Sequence, residues 1–152
     1  MSRFADRFPL DSGSHPATAV STSPTAYGSM SNGLNVVNMG IASQWSGTYF
    51  TESMRTAAGA ANPRAIIHNI GTNDYRYYGV APSTFKTNLK TVINDLKSKV
   101  AGPCAHILVH HYETLNTVSG LPVADWEAYG DAKRELAQED PDNIAFIDLS
   151  PV

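Results

Sequence analysis

Residues 65–74, Ala-Ile-Ile-His-Asn-Ile-Gly-Thr-Asn-Asp, constrain this chain more than any other stretch. Ile66, Ile67 and Ile70 supply the β-branched bulk of a buried strand. Gly71, Asn73 and Asp74 then turn the chain sharply and place an amide and a carboxylate just past the strand end. In open parallel α/β sheets, ligands bind outside the carboxyl ends of the strands, so Asn73 is positioned to aim a side-chain N–H at a substrate. The same residues also build ordinary turns, and spacing alone does not separate the two readings.

The flanking segments alternate. Residues 34–39 read as a strand closed by Gly40, and a helix follows from about Phe50 to Ala61, stopped by Asn62-Pro63. After an aromatic loop, Tyr75 to Gly79, Pro82 and Ser83 open a helix whose Phe85, Leu89, Val92, Ile93, Leu96 and Val100 fall at helical spacing. Residues 105–110 form the next strand. A loop from about Tyr112 to Ala124 leads to a helix capped by Asp125, with Trp126, Tyr129 and Leu136 on its packing face. Residues 144–149 form a last strand. Strand and helix in strict alternation predict parallel strands joined by right-handed crossovers, that is, a three-layer α/β/α sandwich with a flavodoxin-like sheet.

With 152 residues the chain has room for one domain spanning 1–152. Residues 11–31 are rich in Ser, Thr, Pro and Gly, which marks a long loop or a flexible segment. A net charge of −3 and the absence of any Lys/Arg cluster argue against nucleic acid as a partner. No apolar run approaches the length of a membrane span, and a soluble protein is expected. The single cysteine, Cys104, has no internal partner and is expected to be a small buried hydrophobe. No GxGxxG, phosphate-loop or CxxC motif supports a cofactor or a metal, and a phosphate- or nucleotide-binding function is disfavoured for the same reason. His110 and His111 are adjacent, which suits a shared metal badly, and His68 is expected to be a core contact.

Two strand ends stand out, Asn38-Met39-Gly40 and Gly71-Thr72-Asn73-Asp74. On parallel strands, the Gly40 N–H and the Asn73 amide would converge at one sheet edge and could serve an oxyanion. At these positions the chain resembles the SGNH/GDSL hydrolases, whose N-x-G and G-x-N-D blocks they match over roughly residues 34–149. The resemblance implies a serine ester hydrolase acting on a small acyl or acetyl ester, with carbohydrate as a candidate carrier and no cofactor. It implies oxyanion donors at Gly40 and Asn73. Asp11-Ser12 lies where the family places its nucleophile, but Leu10 stands in place of the preceding Gly; Ser12 is preferred to Ser14 for that role. No Asp-x-x-His occurs after residue 140, so Asp148 is not assigned to a triad, and the domain is expected to be incomplete at one or both ends. His15, His110 and His111 are the other histidines that a serine nucleophile could recruit. Trp45, Asp74 and Tyr75, with Tyr77 and Tyr78, are candidates for a substrate-binding wall. The alternative is a non-catalytic binding or structural module on the same fold.

Overall fold

The computed structural model describes residues 25–27, 36–39, 43–111 and 123–150. The chain divides into two compact units, residues 1–43 and 44–152.

In the first unit, β1 (Thr25–Tyr27) pairs antiparallel with β2 (Val36–Asn38), Thr25 opposite Asn38. This departs from the sequence expectation in two ways. A strand occurs within the Ser/Thr/Pro-rich stretch, and β2 forms its own two-stranded sheet, with no parallel pairing to the later strands among the described residues. A three-residue strand carries too little side-chain pattern to choose its partner.

The second unit holds α1 (Glu52–Ala60), β3 (Ala65–His68), α2 (Pro82–Lys99), β4 (Ala105–His110), α3 (Val123–Glu139) and β5 (Ile144–Asp148). The three strands form one parallel sheet in the order β3-β4-β5, so β4 is central and β3, whose β-branched residues suggest a buried strand, is an edge among the described residues. The fold is α/β, a parallel sheet with helices, as the flavodoxin-like reading requires. Both crossovers step in the same direction, and right-handed connections therefore lay α2 and α3 on one face. That face carries the core. Leu108 and Ile144 of the sheet pack with Phe85, Leu89 and Ile93 of α2 and with Trp126, Tyr129 and Leu136 of α3. On the other face, Ile67 is 66% and Ile147 43% exposed.

Local chemistry explains the boundaries. Pro82 occupies the first turn of α2, where its missing N–H costs nothing. Along α2 the buried residues are Phe85, Leu89, Val92, Ile93 and Leu96, the stripe expected from the spacing. Helix α3 begins at Val123, so Asp125 lies inside it instead of capping it. An ion-pair network of Arg55 with Glu52 (2.7 Å) and Asp95, and of Lys99 with Asp95 (2.8 Å) and Glu52 (3.1 Å), ties α1 to α2. Lys86 reaches Glu135 (2.7 Å) and Glu139 (2.6 Å), linking α2 to α3. Cys104 is half-buried just before β4, less enclosed than expected.

Candidate active site

The stretch after β3 builds the site. His68 is followed by an irregular Asn69 and Ile70, and Gly71 then adopts φ +123°, where side-chain-bearing residues are strained. A Cβ placed there would lie 3.4 Å from the Phe85 ring and 3.7 Å from the Lys133 ammonium, so the turn sits directly on α2 and α3. The residues expected to form an aromatic loop are instead a π-helical turn, Asp74–Tyr78. It is closed by Gly79 in the left-handed conformation (φ 56°) and by the Val80 N–H donating to the Asp74 carbonyl at 3.1 Å. Turns of this width are rare and are frequently found at functional sites.

The structure places the candidate residues differently from one another. Asn73 is half-buried, and its amide nitrogen donates to the Gln44 carbonyl at 2.7 Å. That bond uses one of two amide protons and fixes the plane of the group, leaving the second proton free to meet an acceptor. Asp74 is fully buried. Both of its carboxylate oxygens lie 3.0 Å from the Ser46 backbone nitrogen, and Asn88 donates to the Ser46 hydroxyl at 2.9 Å. Burial pushes the Asp74 carboxyl above its ordinary range; the Ser46 hydrogen bonds and the positive charge of Lys133 act against that rise. Asp74, expected in the substrate-binding wall, is thus closed off from solvent and anchors the turn from within. Tyr75, expected in the wall, is 2% exposed and packs among Trp126 and Tyr129 in the core. The aromatic edge is carried by its neighbours: Tyr77 and Tyr78 are exposed, and half-buried Trp45 stacks on Tyr78 with ring centroids 5.0 Å apart. Ser12 and Gly40 lie outside the described residues.

The histidines divide by depth. His110 is fully buried, stacked on Trp126 at 4.8 Å, and desolvation holds it down at about 4. His111 lies at the carboxyl end of β4, with Nε2 3.4 Å from the Thr72 hydroxyl. Desolvation, then the charges of Lys133 and Arg76, keep His111 below its ordinary pKa and so neutral near pH 7. Trp126 donates its indole N–H to the His111 carbonyl at 2.8 Å and fixes this strand end. No cluster of metal-ligating side chains occurs among the described residues.

Lys133 is the residue that sequence reasoning missed. It is fully buried, donates to the Val109 carbonyl at 2.7 Å, and has the Phe85 and Trp126 ring centroids each at 5.8 Å. Its signal was its position: with Trp126, Tyr129 and Leu136 it lies on the apolar stripe of α3, where a charge needs a reason.

No curated protein and no solved structure matches the chain. A family model described as GDSL-like Lipase/Acylhydrolase matches residues 5–145, which takes in β3, the turn after it, and β4. The chain belongs to the GDSL-like lipase/acylhydrolase family.

Proposed function

We propose that the chain is a serine ester hydrolase that cleaves a small acyl or acetyl ester by acyl transfer. Membership of the family supports the general acylhydrolase class. The observation that carries the finer reading is the Asn73 amide. It is held in one plane by Gln44 and raised on a turn whose Asp74 is locked from below. A donor fixed before the reaction stabilises the charge of a tetrahedral intermediate without reorganising at the moment of need.

In this reading Ser12 is the nucleophile, and the Gly40 N–H and Asn73 amide receive the oxyanion; Ser12 and Gly40 take these roles from the family pattern. His111 is the proposed proton acceptor, since it reaches the turn and is kept neutral, the form a general base requires. The exposed edge of Tyr77 and Tyr78, backed by Trp45, would hold an acylated sugar by stacking, which favours a carbohydrate carrier.

Labelling of the folded protein with a fluorophosphonate, followed by peptide mapping, tests the reading. Attachment at Ser12 is expected. A folded sample that stays unlabelled, and does not hydrolyse p-nitrophenyl acetate, would instead identify a non-catalytic module on the same fold.

A further inference from the structure

A lysine buried in an apolar helix stripe is costly unless its charge has a task, because desolvation of an ammonium is worth several kcal/mol. Lys133 reaches from α3 across the core to the carboxyl end of the sheet. Its ammonium donates to Val109 near the end of β4 and comes within 3.7 Å of the position that a Gly71 Cβ would occupy. It thus lies beneath the turn that carries Asn73, while the buried Asp74 carboxylate of the same turn feels its charge.

We propose that Lys133 is a positioning residue of the site, its ammonium bracing the 71–74 turn against the end of β4 so that the Asn73 amide keeps one geometry. This rests on the reading of Asn73 as an oxyanion donor. A leucine or methionine would fill the same volume, but could neither donate to Val109 nor draw on the Asp74 charge.

The brace is sensitive to pH near neutrality. Burial lowers the Lys133 ammonium to about 7, against the opposing pull of Asp74 and then Asp148. The other titratable groups in its field are His110 and His111 at the end of β4 and His68 on β3, and its charge disfavours protonation of each. Arg134 lies 3.2 Å from Asp148 and shares that carboxylate, which leaves Asp74 as the principal counter-charge.

The test is an NMR titration of the full chain, reading the Lys133 Cε and the Asn73 side-chain amide together. Both are expected to titrate with one midpoint near 7 in the wild type. Asp74→Asn should move the Lys133 midpoint down. Lys133→Arg, which keeps its charge, and Lys133→Met, which has none, should each abolish the Asn73 transition. An Asn73 amide that ignores the lysine titration, or that titrates unchanged in either variant, overturns the proposal. Kinetics on p-nitrophenyl acetate give an independent reading. Lys133→Met should lower kcat roughly tenfold with KM unchanged and lose the alkaline fall in kcat, while Lys133→Arg restores the rate. A wild type with no hydrolysis overturns the acyl-transfer reading, and the amide titration then decides the lysine by itself.

Discussion

The Nε2 of His68 lies 2.9 Å from the Nδ1 of His106, one strand away, and the Tyr49 hydroxyl lies 3.2 Å from the far nitrogen of His68. With Tyr49 donating to His68 Nδ1 and His68 donating to His106 Nδ1, both bonds of the row require neutral rings, while the buried His106 Nε2 has no partner among the described residues. Burial accordingly holds His68 at about 3 and His106 at about 4, and raises the Tyr49 hydroxyl.

Acid should unfold the protein through this row. Both folded values lie below the unfolded value of 6.5, so the unfolded chain binds the extra protons between that value and the folded ones. Stability is full above pH 6.5 and is lost as pH falls toward 4. His106→Leu should flatten this limb by ~3 kcal/mol between the two limits. Urea midpoints measured across the window check it, and an equally steep limb in the variant would count against the row as its source.

Gly71→Ala should destabilise the fold by about 2 kcal/mol, because the residue holds φ +123°, a conformation that strains any side-chain-bearing residue. Urea unfolding of the variant reads this directly. A change below about 0.5 kcal/mol, the ordinary surface value, would show that the turn relaxes freely.

Asn73→Ala should reduce kcat by about a hundredfold while KM stays close to the wild-type value, as expected for a donor used only in the transition state. Steady-state hydrolysis of p-nitrophenyl acetate measures both constants. A rise in KM at constant kcat would assign Asn73 to ground-state binding.

Tyr78→Ala removes an exposed ring that stacks on Trp45 and should change stability by no more than about 0.5 kcal/mol. Its effect is expected in KM for acetylated sugars, with p-nitrophenyl acetate turned over as before. Equal losses on both substrates would remove the sugar-stacking role.

What was legible in the sequence follows from where side-chain pattern decides structure. Phe85, Leu89, Ile93 and Leu96 announce α2 because a single face of a long helix must be apolar, and residues 105–110 and 144–148 are strands because their branched side chains suit a half-buried sheet. Gly71 and Asn73 were visible as chemistry, since few residue types serve such a turn. The inward turn of Tyr75 was hidden, because a π-helical turn has no repeating pattern and Tyr-Arg-Tyr-Tyr reads the same in a loop. The depth of Asp74 was hidden too: its partner Ser46 lies 28 residues away and contributes a backbone N–H, which no side-chain pattern can announce.

The π-helical turn also bears on how this surface can diverge. Its extra backbone residue separates an inward ring, Tyr75, from the outward rings Tyr77 and Tyr78. Each residue of a regular helix advances the side-chain direction by about 100°. Loss of a single codon at Arg76 would therefore swing the outer tyrosines around the turn while leaving Tyr75 and Asp74 seated. A single-residue insertion or deletion in this turn would thus re-aim the exposed aromatic rim and leave the buried anchor in place.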